Sequence, residues 1–320
     1  MKKKVLLALP VFVLIAALLL GCYAYAKDGS LATRTIDPVV STDWLAANSG
    51  LKDLVIIDMR SGALYRAGHI PNAINIPFDR YVSVWITQRD NLDLEVPDDA
   101  DLFKVLGSAG IKSDSRVVIV NDAFPTDPQT PPSYPRSYAT RVADTLIYAG
   151  VKNVAILDGG HTKWIKEGRT LSKEIVTPMP VTYRGEVNKA MFVSRHYVKE
   201  KIGKAVIIDA RNPEFYFGAT VAPFAPKAGH IRTAKSLPTL WIWNDKDGTY
   251  KPTDVLEKMA YGVVGKDKAK EIIIYCGVGN NAGGWWFVLT QILGYDNVKF
   301  YDGASQEWVR YYDMVPYQWD

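Results

Sequence analysis

Short apolar runs recur along the chain and alternate with segments of helical pattern. Four of these runs lie at 54–57, 117–120, 205–208 and 272–275. No charged residue interrupts them, which is typical of strands buried on both faces of a parallel sheet. Strands of this kind that alternate with helices predict the α/β class, with helices covering both faces of each sheet.

The same series of motifs occurs twice, which indicates two copies of one domain. The first copy contains Ser41, Asp58-Met59-Arg60, Gly68-His69-Ile70 and Asp158-Gly159, and the second contains Ser194, Asp209-Ala210-Arg211, Gly229-His230-Ile231 and Asp302-Gly303. In both copies the serine is placed to cap a helix that precedes a buried strand. Residues 173–190 contain two prolines and little periodicity, so they are interpreted as a linker. We therefore expect α/β domains at 35–172 and 191–320.

The two copies differ at the position after their central apolar run. Alignment of 117–120 with 272–275 places Asn121 opposite Cys276, so only the second copy has a nucleophile there. The first copy continues with a proline-rich insert at 124–137, after which a helix is expected to resume near Tyr138. The sequence therefore predicts a catalytic second domain and an inactive first domain. We also hypothesise that the insert acts as a lid over the site.

Cys276 is the candidate nucleophile because a glycine-rich loop comes directly after it. The residues Gly277-Val278-Gly279-Asn280-Asn281 lead from the end of the strand to a helix expected near Ala282. Such a loop can point several backbone N–H groups inwards, and the helix start adds partial positive charge. We expect this loop to lower the pKa of the Cys276 thiol and to bind a persulfide or an oxyanion. The alternative is that Cys276 is a buried structural residue, unreactive to thiol reagents.

The amino terminus has the pattern of an export signal. Three lysines precede the apolar stretch 5–20, and residues 1–26 are interpreted as a signal peptide. Leu19-Leu20-Gly21-Cys22 resembles the lipobox of bacterial lipoproteins, which implies lipidation at Cys22. The alternative is ordinary secretion with cleavage after Ala24-Tyr25-Ala26. In both cases we expect a periplasmic or cell-surface protein, and in the first case one that a lipid anchor holds on the membrane.

Composition narrows the classes of partner. The chain of 320 residues is 48% hydrophobic and 22% charged, which suits two globular domains. Its formal net charge of +4 falls by three, to +1, without the lysines of the leader. No basic run remains that could bind phosphates, so nucleic acid is not an expected partner. No histidine or cysteine lies at ligand spacing from another, so no metal site is predicted.

These motifs resemble the rhodanese superfamily, specifically its tandem-domain thiosulfate and mercaptopyruvate sulfurtransferases. The resemblance covers about 35–320 and implies that Cys276 takes a sulfane sulfur from a small donor and passes it to cyanide or a thiol, without a dissociable cofactor. The six-residue loop 276–281 is similar in length to the sulfurtransferase loop. Related phosphatases have a longer loop and an arginine at the position of Ala282, so phosphatase activity is not expected.

The loop departs from the family pattern because it contains no cation, and a second substrate-binding arginine of the family falls on Phe215. Candidate substrate-binding residues are therefore the loop 277–281 together with Asp209 and Arg211. Lys227 and Arg232 are further candidates for supplying charge. The uncharged loop also leaves a second function open: a non-catalytic or redox lipoprotein that traps sulfur or chalcogen oxyanions such as selenite on Cys276.

Overall fold

The computed structural model describes residues 34–320. The first domain contains strands β1 (Val39–Val40), β2 (Leu54–Asp58), β3 (Ala73–Asn75), β4 (Thr87–Arg89), β5 (Leu92–Glu95), β6 (Arg116–Val120) and β7 (Asn153–Leu157), and helices α1 (Thr42–Asn48), α2 (Gly62–Ala67), α3 (Asp99–Ser108), α4 (Tyr134–Tyr148) and α5 (Gly160–Lys166). The second contains strands β8 (Val206–Asp209), β9 (Ala234–Ser236), β10 (Ile272–Tyr275) and β11 (Val298–Phe300), and helices α6 (Arg195–Lys201), α7 (Pro213–Phe217), α8 (Thr253–Val264), α9 (Ala282–Phe287) and α10 (Ala304–Tyr311). A 3₁₀ turn (Thr239–Ile242) precedes α8, and a π turn (Val288–Ile292) extends α9.

Each domain is built on one parallel sheet. The strand order is β1-β7-β6-β2-β3 in the first sheet and β11-β10-β8-β9 in the second, and all neighbours within these sheets are parallel. Phe192 pairs with Phe300 beside β11, in the place that β1 has beside β7. The prediction of two α/β domains, each with a parallel sheet flanked by helices, is confirmed.

One apolar core passes through both domains. Every residue of β10 is buried, as are the last four residues of β6, so the apolar runs are strands covered on both faces. Helices α4 and α9 face each other across the boundary, and their residues Val142 and Trp285 belong to the same buried cluster. The two domains therefore share buried apolar surface, and residues 35–320 form a single compact unit.

Local sequence signals account for most helix starts. The hydroxyl oxygens of Ser41 and Ser194 accept hydrogen bonds from the third residue after each of them, as expected for N-caps. Helix α4 differs from expectation because it begins at Tyr134 rather than near Tyr138. Pro135 lies in the first turn of α4, where a missing N–H group costs nothing.

Residues 173–190 contain neither helix nor strand and lie against the first domain. The amide of Val181 donates to the Gly107 carbonyl at 2.9 Å, and the Tyr183 hydroxyl donates to the Ala149 carbonyl at 2.7 Å. The predicted signal peptide, with Cys22, lies outside the described residues. Within 34–320, no helix has the length and apolarity needed to cross a membrane.

Candidate active site

Cys276 lies at the floor of a cleft that both domains line. It follows β10 directly and is only 1% exposed. The cleft has a volume of about 490 Å³. Its second-domain wall includes Gly277, Val278, Asn280, Asn281, Arg211, Phe215 and Phe224, and its first-domain wall includes Arg80, Leu94, Pro131, Pro132, Tyr134, Arg136 and Tyr138. Part of the proline-rich insert thus borders the cleft, as the lid hypothesis requires.

The loop after Cys276 directs backbone N–H groups at its sulfur. The backbone amides of Ala282, Val278, Asn281 and Gly279 lie near the sulfur and act to lower the pKa of the thiol. Burial acts in the opposite direction and more strongly, so the pKa of the Cys276 thiol is raised. The expectation of a lowered pKa is therefore wrong. Burial thus favours the neutral thiol, and the four amides are placed to stabilise negative charge once it forms.

The conformation of the loop depends on a glycine at position 279. Gly279 has a φ of +79°, which L-residues rarely adopt. A Cβ atom at this position would lie 2.5 Å from Asp302 Oδ1. Both the backbone angle and the neighbouring carboxylate therefore require glycine at position 279, within the loop that follows Cys276.

Arg211 borders the cleft, whereas Asp209 lies behind it. Arg211 Nε donates to Asp209 Oδ1 at 2.9 Å and Nη2 to Oδ2 at 2.5 Å, and Nη2 also donates to the Gly229 carbonyl. The Tyr275 hydroxyl donates to the same carboxylate at 2.7 Å. Asp209 is fully buried and does not line the cleft, which differs from the expected substrate contact. Asp209 holds Arg211 in position instead.

The cations that border the cleft differ from those expected. Lys227 donates to the Tyr312 carbonyl at 3.0 Å and to Asp313 at 2.9 Å, and neither Lys227 nor Arg232 lines the cleft. The first domain contributes Arg80 and Arg136 instead. Sequence reasoning missed both because no motif connects them with the distant loop of the second copy.

A buried ion pair between Arg141 and Asp302 contacts the loop 277–281. Arg141 of α4 donates to both oxygens of Asp302, at 2.6 and 3.0 Å, and its side chain is fully buried. The same guanidinium reaches the Gly279 carbonyl at 3.4 Å and the Leu94 carbonyl at 2.7 Å. Arg141 of the first domain is thus bonded to the loop that carries Cys276.

The domains contact each other reciprocally through their Asp-Gly motifs. Asp302 Oδ2 accepts the amide of Val96, from the first domain, at 2.8 Å. Asp158 Oδ1 accepts the amide of Tyr250, from the second domain, at 2.8 Å. Each of these aspartates follows a strand of its own sheet. Each domain therefore accepts a backbone amide of the other in the same way, although only the second domain has a cysteine at the end of its central strand.

The first domain has no open cleft at the corresponding place. Asn121 lines a cavity of about 20 Å³, which is closed by Trp243 and Tyr250 of the second domain. The Asn121 side chain donates to the Pro135 carbonyl at 2.8 Å and accepts the amide of Asp122 at 2.9 Å. A cavity of this size holds about one water molecule, so the first copy lacks room for a substrate as well as a nucleophile.

Comparisons with known proteins agree with this architecture. The rhodanese-like domain profile matches residues 41–167 and 194–311. The chain is 33% identical to the sulfur carrier protein TtuD of Thermus thermophilus, over 84% of this chain and 93% of that protein. It is 31% identical to a Saccharopolyspora erythraea protein provisionally named as a thiosulfate sulfurtransferase, over 87% of this chain and 94% of that protein.

Solved structures show the same fold. The crystal structure of the 3-mercaptopyruvate sulfotransferase SseA from Escherichia coli superposes with a TM-score of 0.68 at 27% identity, covering 84% of this chain and 98% of that one. EanB in complex with ergothioneine superposes with a TM-score of 0.72 at 22% identity, covering 87% and 70%, a likeness of fold alone. The chain therefore belongs to the rhodanese family, as a tandem-domain sulfurtransferase of the thiosulfate and 3-mercaptopyruvate sulfurtransferase kind.

Proposed function

We propose that Cys276 is the sulfur carrier of this sulfurtransferase. It takes one sulfane sulfur from a small donor, such as thiosulfate or mercaptopyruvate, and passes it to cyanide or a thiol. The observation that carries the proposal is the set of four backbone amides directed at the Cys276 sulfur from the loop 277–281 and the start of α9. Hydrogen-bond donors in this arrangement stabilise a thiolate or a persulfide anion without a fixed positive charge.

The reaction proceeds in two displacements. Cys276 gives its proton to water, and the thiolate attacks the transferable sulfur of the donor, which is the outer sulfur of thiosulfate or the single sulfur of mercaptopyruvate, so that an S–S bond forms at Sγ. The bond between that sulfur and the rest of the donor breaks, and the leaving group keeps the electron pair: sulfite from thiosulfate, or the enolate of pyruvate from mercaptopyruvate. The enolate then takes a proton. A thiolate or cyanide attacks the outer sulfur of the persulfide, and Sγ leaves as the thiolate.

The experiment is intact mass measurement of the reduced full chain after incubation with thiosulfate and, separately, with mercaptopyruvate. We expect the gain of one sulfur atom per chain with at least one donor, and its removal by cyanide. The donor that loads the protein identifies the donor class. No gain with either donor, while Cys276 still reacts with thiol reagents, would contradict the proposal and favour the trapping of oxyanions.

We also propose that the protein is exported and anchored by a lipid on Cys22. The charged start, the apolar stretch 5–20 and the Leu-x-Gly-Cys sequence support this proposal. In a bacterium that processes lipoproteins, we expect the wild type in the detergent-extractable membrane fraction and Cys22→Ala in the soluble fraction. Fractionation with mass measurement of the mature amino terminus tests this. A soluble wild type that begins at Lys27 would show ordinary secretion instead.

A further inference from the structure

The wall of the cleft opposite Cys276 is polar and comes from the first domain. Tyr134 is half-buried at the start of α4 and lines the cleft. Within residues 34–320, its hydroxyl has no hydrogen-bond partner. Burial raises the pKa of Tyr134, and Cys276 raises it further once the sulfur carries a negative charge. The phenol therefore stays protonated, faces the same space as the thiol, and has an O–H group to donate.

Arg80 lies beside Tyr134 at the rim of this cleft. Its positive charge acts on Tyr134 and Tyr138, where it lowers the pKa of both phenols against the effect of burial. Arg80 is exposed and forms no ion pair with any carboxylate of the described chain. Its guanidinium packs over the Tyr81 ring at 5.0 Å, a contact that leaves the N–H edges available.

The other two cations that line the cleft, Arg136 and Arg211, are buried, whereas Arg80 is exposed. Arg211 is neutralised by Asp209, through Nε and Nη2. The Arg136 guanidinium lies 5.1 Å from the centres of both the Phe124 and the Trp243 rings, and its Nε and Nη1 are buried without a hydrogen-bond partner in the described chain. The loop 277–281 contains no cation, and its backbone amides at Val278, Gly279 and Asn281 act on the Cys276 sulfur. When the sulfur of a substrate such as thiosulfate reaches Cys276, the loop 277–281 therefore provides no positive charge for the anionic end of that substrate.

We infer that Arg80 and Tyr134 bind the anionic end of the sulfur donor, a carboxylate or a sulfur oxyanion, while its transferable sulfur faces Cys276. A guanidinium and a phenol supply N–H and O–H donors of the kind that bind such oxygens. The inference rests on the proposed function and extends it, because it gives the catalytically silent domain a part in choosing the substrate. Donors with a small anionic group are then preferred over neutral persulfides.

Alkylation of Cys276 tests the inference without sulfur transfer. The reduced full chain is treated with iodoacetate, which is anionic, and with iodoacetamide, which is neutral and of similar size. The two rates are compared by the mass of the peptide that contains Cys276, because Cys22 is a second thiol. We expect the iodoacetate-to-iodoacetamide rate ratio to fall about fivefold in Arg80→Gln, as for loss of one cation near an anion. Tyr134→Phe should lower the ratio by a smaller factor, since it removes only one neutral donor.

Arg232→Gln is the matched control, because Arg232 is an exposed cation of the second domain that does not border the cleft. Its ratio should equal that of the wild type. A ratio unchanged in both Arg80→Gln and Tyr134→Phe would overturn the inference even if the protein takes up sulfur. A lowered ratio in a protein that takes up no sulfur would support the anion subsite and contradict the proposed function instead.

Discussion

Cys276→Ser should remove sulfur transfer completely. We expect no gain of sulfur with any donor and a fall in cyanide-dependent turnover of at least about 10³-fold, because a serine hydroxyl cannot supply the thiolate that carries the sulfur. The free energy of unfolding should change by only about 1 kcal/mol, since serine is close to cysteine in size and its oxygen can accept the same four amides. Intact mass and urea unfolding of the same preparation measure both effects.

A cysteine placed in the first domain tests whether a thiol at the corresponding position can also carry sulfur. Asn121→Cys in the Cys276→Ser background places a thiol at the end of β6, the strand that corresponds to β10. We expect this double variant to take up no sulfur, because its surroundings are the cavity of about 20 Å³ closed by Trp243 and Tyr250. Sulfur uptake by either variant would contradict the assignment of Cys276 as the sole carrier.

Arg141→Met should be the most destabilising of the single changes considered. It leaves Asp302 buried without its cation and removes the hydrogen bonds to the Gly279 and Leu94 carbonyls. Loss of one partner from a buried ion pair costs about 3–5 kcal/mol of unfolding free energy. Turnover should fall as well, because the loop that carries Cys276 loses its support from the first domain. Urea unfolding and a turnover assay measure the two effects.

The loss of stability in Arg141→Met should be larger at pH 9 than at pH 7. Burial raises the pKa of Glu95 to about 8, with a further contribution from Asp302, and burial also raises the pKa of Asp144. An acid whose pKa is raised on folding holds its proton more tightly when folded, so stability falls as the pH rises from its ordinary pKa to the raised one. Arg141 lowers the pKa of both acids, so without it their pKa values are higher still. The loss of stability through Glu95 therefore levels off above about pH 8 in the wild type and continues to a higher pH in the methionine variant.

Arg116→Met is the matched control for this ion pair. Arg116 lies 2.6 Å from Asp53 in a pair whose side chains are 25% and 51% exposed, so its loss should cost no more than about 1 kcal/mol. If Arg141→Met behaved like Arg116→Met in both stability and turnover, Arg141 would not hold the loop.

The sequence predicted the features that depend on neighbouring residues. The run at 272–275 coincides with β10, because a strand buried on both faces has a local apolar signature. The end of this strand predicted the position of Cys276, and the glycine-rich loop after Cys276 predicted that α9 starts at Ala282. Repetition of the motifs was sufficient for the two-domain architecture.

The missed features depend on residues that are distant in sequence. Arg80 and Tyr134 border a thiol that lies well over a hundred residues further along the chain, and no motif of their own marks them. The direction of the Cys276 pKa shift also escaped prediction. It is a balance between burial and four amides, and the extent of burial is known only once the first domain covers the cleft.

Because Asp158 and Asp302 make reciprocal contacts, the two domains are arranged like the subunits of a homodimer that are joined in one polypeptide. In a dimer of identical subunits every substitution appears in both subunits, so a residue that fills the active-site pocket of one subunit also fills that of the other. Covalent fusion removes that constraint. One half can then keep the nucleophile while the other half diverges into a dedicated accessory subunit that is always bound.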